Sequence, residues 1–99
     1  MLNATLLFIP AFNEIMDGKP QGNLHNEVYR IANEVDGVIN TEKCIVRKMG
    51  LEYIVDLHVR VSGDISVKEG HKISHQVKSR LMDSPLSILE VNIHIEPND

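Results

Sequence analysis

Two short segments each carry one histidine among alternating apolar and polar residues. Tyr53-Ile54-Val55-Asp56-Leu57-His58-Val59 is one, and Glu90-Val91-Asn92-Ile93-His94-Ile95-Glu96-Pro97 is the other. Successive side chains of a strand point to opposite faces. Val55, Leu57 and Val59 therefore share one face, and His58 stands on the other with Asp56 and Arg60. Val91, Ile93 and Ile95 likewise share a face, opposite Asn92, His94 and Glu96. If both strands join one sheet, imidazole and carboxylate donors meet on its wet side. Zinc takes such donors at about 2.0–2.2 Å, usually four of them. His58, His94 and Glu96 are the leading metal-ligand candidates, with room left for a water, a bridging group or a ligand from elsewhere.

A second pair, His71 and His75, is spaced so that both rings fall on one helix face. Lys72, Ile73 and Ser74 lie between them, without the glutamate that helical zinc proteases place there, so hydrolytic chemistry is poorly supported. His71, nearer the helix start and the end of the sheet, is the better ligand of the two. His75 reads as part of a solvated face. His25 follows apolar Leu24 in another helical stretch and reads as a surface residue. Glu42, at the head of a further strand, offers a carboxylate oxygen, although a solvated glutamate is the ordinary case. Asp56 and Arg60 read as cross-strand charge partners. No nucleophile is paired with a base and no glycine loop is shaped for phosphate, so no enzyme is expected.

Composition narrows the classes further. The chain has 99 residues, of which 42% are hydrophobic, as one small globular domain requires. Its net charge of -4 suits a cation and argues against nucleic acid, whose backbone selects basic patches. The single cysteine, Cys44, excludes an internal disulfide framework and fits a reducing compartment. It reads as a small buried strand residue ahead of a ligand or a reactive thiol. The apolar run Thr5 to Phe12 is far short of the ~20 residues that span a bilayer, and Pro10 interrupts it. No basic region precedes it, so it does not read as a signal peptide.

These candidates need elements to hold them. Residues 1–18 are expected to form a short helix, followed by Gly18, Pro20 and Gly22 as punctuation. Residues 1–20 are therefore a helical and linker segment, and 21–99 the folded domain. Leu24, Val28, Ile31, Ala32 and Val35 make the stripe of a helix over Asn23 to Asp36, capped by Asn23 and closed by Gly37. Strands follow at 39–48 and 51–61, turning at Met49-Gly50. Ser66-Val67-Lys68-Glu69 is a capping box that opens a helix from Val67 to Met82, with Val67, Gly70, Ile73, Val77 and Leu81 as its buried stripe. Asp83, Ser84 and Pro85 end it, and a last strand runs from about Ser87 to Glu96. The order helix, strand, strand, helix, strand predicts an α+β sandwich, with two helices on one sheet face and the other face open. An open face is solvated, carries a ligand or pairs with another copy.

Taken in order, the motifs resemble the cytoplasmic C-terminal domain of cation diffusion facilitator (cation efflux) transporters. The pieces are Asn13-Glu14-Ile15-Met16-Asp17-Gly18-Lys19-Pro20, Val35-Asp36-Gly37-Val38, Val46-Arg47-Lys48-Met49-Gly50, Val55-Asp56-Leu57-His58-Val59-Arg60-Val61, Ile65-Ser66-Val67-Lys68-Glu69-Gly70-His71-Lys72-Ile73 and Val91-Asn92-Ile93-His94-Ile95-Glu96-Pro97. The resemblance implies a ferredoxin-like, metallochaperone-like αββαβ fold. It implies a V-shaped homodimer that binds zinc or a related divalent ion near its interface and so favours transport by the membrane part. By position His58, His94 and Glu96 match family ligands, Glu96 standing where Asp is frequent. His71 matches the family's helix histidine, Glu42 falls where some members carry a further histidine, and Asp17 matches an acidic hinge residue. His25 and His75 match no family ligand.

The expected function is a regulatory cytoplasmic domain of a zinc-type efflux transporter, binding metal as a homodimer. Zn2+ is the first expectation, with Cd2+, Co2+, Ni2+, Mn2+ and Fe2+ open to the same donors. The alternative is a structural dimerisation module, or a stand-alone soluble metal-binding protein, of the same fold. None of the family's transmembrane helices is expected within these 99 residues. The apolar stretch Leu6 to Phe12 fits the tail of the last one in a domain cut from a transporter, whose membrane part would be its partner.

Overall fold

The computed structural model describes residues 22–98. The helix expected over residues 1–18, the hinge residue Asp17 and the 1–20 segment lie outside the described residues. The elements are α1 (Gly22–Asn33), β1 (Asn40–Met49), β2 (Glu52–Val61), α2 (Val67–Met82) and β3 (Ile88–Pro97). This is the expected α+β order.

The sheet is three-stranded, in the order β1-β2-β3. β1 and β2 form an antiparallel hairpin closed by Gly50 and Leu51, and Gly50 adopts a left-handed φ of 65° at no side-chain cost. β2 and β3 run parallel. A parallel pair needs a crossover, and α2 supplies it. The apolar face of β2, with Val55, Leu57, Val59 and Val61, packs with Ile73, Val77 and Leu81 of α2, with Val28 and Ala32 of α1 and with Val91 of β3. Both helices thus lie on one side of the sheet. Ile54, Asp56, His58 and Arg60 are left on the other side, each partly exposed.

Four details differ from the sequence expectation. Gly22 opens α1 instead of belonging to the linker, so Asn23 lies within the helix and not ahead of it. α1 stops at Asn33, where Glu34 and Val35 donate to the carbonyls of Ile31 and Ala32, each at 3.2 Å. These i→i−3 bonds tighten the last turn and end the helix before Asp36. Gly37 therefore shapes the turn into β1, with φ 96°, and a Cβ there would come within 2.6 Å of Ile73 Cδ1. Val67, expected in the core, is 90% exposed. As the first residue of α2 it sits at the rim of a groove with Val61 and Pro97, past the end of the packed stripe. The cap itself is as expected: Ser66 Oγ accepts from the Glu69 N–H at 3.0 Å.

Two irregularities set which side chains reach the open face. The β1–β2 register shifts between Glu42 and Ile45, with Lys43 at φ 54°. This bulge turns Cys44 toward the core and keeps Glu42 opposite His58. A matching shift between Tyr53 and Ile54 lets Ile88 stay buried at the start of β3, while Glu90 begins the polar row.

Candidate metal centre

The strand register puts the first candidate set side by side. His58 pairs with Glu42 on β1 and with His94 on β3, and Arg60 pairs with Glu96. The His58 and His94 rings stack with centroids 4.7 Å apart and planes 18° from parallel. His58 Nδ1 donates to Glu96 Oε2 at 2.5 Å. In a neutral ring that bond puts the proton on Nδ1 and the lone pair on Nε2, the arrangement of a carboxylate-oriented metal-ligating histidine.

Arg60 sits among these groups. Its NH2 donates to Glu42 Oε2 at 2.8 Å and lies 3.8 Å from Glu96 Oε1, while NH1 donates to the Pro97 carbonyl at 3.3 Å. The guanidinium thus links all three strands. The Arg60 hydrogen bond holds the Glu42 carboxyl below the usual carboxylate range. The His58 hydrogen bond does the same for Glu96, with Lys43 and Arg60 adding smaller pulls. A second row closes the face beside the histidines. Asp56 accepts from Asn92 Nδ2 at 2.9 Å and from Arg47 NH1 at 3.3 Å. The Asn92 bond is the largest influence holding its carboxyl low.

The donor types suit a borderline divalent ion: two imidazoles and the carboxylates of Glu96 and Glu42. Their present geometry is not yet a closed ligand set. Nearly parallel stacked rings keep their in-plane lone pairs in separate, nearly parallel planes, so one ring must turn before both meet a single ion. Among the described residues no three His, Cys, Asp or Glu side chains converge as a metal-ligand group.

The other candidates fall elsewhere. His71, expected to join this set, lies on α2, which covers the opposite face of the sheet. It lines a groove there with Ile93 and Ile95 and contacts His75. Within one chain it does not reach His58. His75 lines a groove of about 570 Å³ at the outer edge of β3, whose other wall includes Asn92 and His94. His25 is in α1, in the helical layer, away from the open face. Cys44 donates its backbone N–H to Tyr29 Oη at 3.0 Å, and burial pushes its thiol up to about 11. It is therefore a protonated packing residue near neutral pH. The residue that sequence reasoning undervalued is Arg60. It was legible as a charge partner, but its place between two candidate ligands depends on the Glu42 bulge.

Known proteins carry the same pattern. The family model for the cytoplasmic domain of cation efflux proteins matches residues 20–98. Metal tolerance protein 2 of Oryza sativa subsp. japonica is 29% identical over 82 residues, 83% of this chain and 21% of that protein. Manganese efflux system protein MneP of Bacillus subtilis (strain 168) is 22% identical over 91 residues, 92% of this chain and 31% of that protein. The chain thus spans 21% and 31% of the lengths of these relatives. Among solved structures, a variant of the MamM C-terminal domain matches with a TM-score of 0.78 at 18% identity, covering 83% of this chain and 100% of its own. A nickel form of that domain matches with a TM-score of 0.74 at 18% identity, covering 78% of this chain and 98% of its own. At such identity these structures establish the fold, the metallochaperone-like α+β sandwich. With the family pattern running through its whole described length, this chain belongs to the cation efflux family, as its cytoplasmic domain.

Proposed function

We propose that this domain is a dimerising regulatory module of a divalent-cation efflux transporter and binds the ion through His58, His94 and Glu96. The observation that carries the reading is the β2–β3 register, which sets the two histidines beside each other with Glu96 orienting one of them. Zinc is the first choice of ion, because two imidazoles and a carboxylate suit it better than manganese. Relatives named for metal tolerance and manganese efflux support a metal-handling role.

The open face is incomplete in one chain, and a second copy would complete it. Ile45 (52% exposed) and Ile54 leave apolar surface on the same face. His71, behind the sheet, can join the site only from another copy. Metal would then favour the closed dimer to the extent that it binds that state more tightly. Arg60 sets the threshold: its charge already occupies the space between Glu42 and Glu96, so an entering cation must displace it. The same observation favours the second reading, a purely structural dimerisation module in which Arg60 permanently satisfies the carboxylates. Neither reading is enzymatic.

Zinc calorimetry on the parent and on His94→Ala separates the two, combined with small-angle scattering with and without chelator. The metal-sensing reading expects weaker binding in His94→Ala and a more compact dimer with zinc. Equal binding by both proteins would remove His94 from the site. A dimer indifferent to zinc and chelator would leave the structural module.

A further inference from the structure

α2 carries an arrangement that the open face does not use. One stripe of the helix, Gly70, Ile73, Val77 and Leu81, is locked in the core. On the exposed side, His71 and His75 occupy consecutive turns, with ring centroids 4.5 Å apart and planes at 78°. Their Nε2 atoms stand 3.1 Å apart. Two imidazole nitrogens on one ion at roughly 2.0–2.1 Å are separated by about 2.8–3.4 Å, as the angle at the metal runs from right to tetrahedral. The observed spacing is the bite of a chelate.

We propose that His71 and His75 are the protein donors of a second divalent-cation site, on the outer face of α2, next to the β3-edge groove that His75 shares with His94 but built on a different element. In the free chain one ring lends an N–H to the other. Binding requires that ring to carry its proton on Nδ1 instead, a tautomer shift without change of charge. Imidazole donors alone select Cu2+, Ni2+ and Zn2+ over Mn2+ and Mg2+, with water in the remaining positions. The folded helix keeps the two side chains one turn apart, so once one nitrogen binds, the second bond forms at a high effective concentration. Lys68, Lys72 and Lys78 lie within a turn of the pair and oppose a cation. Their long stems carry the charges into solvent, where salt screens them. A chain that binds metal here commits His71 to its own helix and does not lend it to another copy's open face.

The test uses the full chain with Ni2+ as the probe in calorimetry. The double variant His58→Ala/His94→Ala lacks the open-face imidazoles and is expected to retain one Ni2+ per chain. Adding His75→Ala should weaken that binding about a hundredfold, the loss of a chelate link, and His71→Ala should match it. In the otherwise unaltered chain, His75→Ala alone should remove one Ni2+ per chain. Both rings are exposed, so helicity by circular dichroism should not move. Ni2+ affinity that is unaffected by His75→Ala, in either background, overturns the proposal. Loss of all Ni2+ binding in a folded His58→Ala/His94→Ala protein overturns it too, and leaves the open-face reading standing.

Discussion

This domain presents imidazole in pairs twice, and the two pairs are built by different physics. His71 and His75 meet because any helix over their segment brings residues of that spacing together. His58 and His94 meet only if β2 and β3 pair in the observed parallel register, since a slip by one residue would turn a whole strand over. The helix pair is exposed and touches only itself among the hydrogen bonds of the described residues. The sheet pair is wired to Glu96, and through Glu96 to Arg60, Glu42 and all three strands. A local pair makes a fixed chelate. A pair assembled by tertiary structure responds to whatever moves the sheet, which is the property a sensing site needs.

The hardest break in this comparison is in the core beneath the sheet pair. Leu57, fully buried, precedes His58 on β2 and holds that strand against α2. Leu57→Ala should cost about 2–5 kcal/mol, for lost burial and for the cavity left behind. Urea unfolding followed by circular dichroism measures it. Zinc binding at the open face should weaken together with stability. The α2 pair should lose Ni2+ only as the helix itself melts, because an isolated helix of 16 residues is marginal in water. A cost below about 1 kcal/mol would mean that the register of β2 does not depend on this packing.

The same contrast explains what could be read from the sequence. Element order, the α2 span and the apolar face of β2 were legible because each follows from a periodicity of 3.6 or 2 within one segment. The placement of Glu42 was not. Counting back by twos from core-facing Val46 puts Cys44 and then residue 42 on the apolar side. Only the bulge at Lys43, a lysine in left-handed backbone, returns Glu42 to the wet face beside His58 and Arg60. A favourable lysine-to-turn signal does not exist, so nothing local announces it. The position of His71 was misjudged for another reason. The expected sandwich already put both helices behind the face that carries His58 and His94, and the nearness of His71 to the helix start and the sheet end was given more weight than that layer. The α1 ends misled because Asn23 and Gly37 are residue types that favour helix ends, yet one lies within the helix and the other beyond its last turn.

A smaller intervention touches only the helix side. Ser66 Oγ caps α2 by accepting from Glu69, one turn before His71. Ser66→Ala should cost about 1 kcal/mol and fray the first turn. Ni2+ affinity at the His71 and His75 pair should fall, because the spacing of their nitrogens depends on a formed turn. Zinc affinity at His58 and His94 should stay as it was. Parallel titrations with the two ions check this, and an equal fall in both affinities would show that the pairs are coupled through the fold.

The smallest effect separates the pairs by charge. Glu42 and Glu96 on the open face have carboxyls held below the usual carboxylate range, by hydrogen bonds from Arg60 and His58 respectively. A carboxyl lowered in the folded state stabilises the fold above its unfolded value, and that stability is lost as pH falls through the folded value. The parent should therefore lose stability as pH drops below about 4.5, in a limb shared with Asp56 and with Glu27, which Arg30 holds down on α1. Arg60→Gln removes the guanidinium from Glu42 and Glu96 and leaves the other two carboxylates their partners. At neutral pH the variant should be the less stable protein, by a small margin because exposed ion pairs contribute little. The gap should close on acidification, since protonated carboxyls no longer need the charge. The variant should also bind zinc more tightly, because the ion no longer competes with Arg60 for Glu42 and Glu96, whereas Ni2+ binding at the α2 pair should not change. Urea midpoints of the two proteins from pH 7 to 3 test the first part, and the two metal titrations the second. A gap that stays constant with pH would mean that Arg60 acts by packing alone, and would remove the built-in cation from the open face.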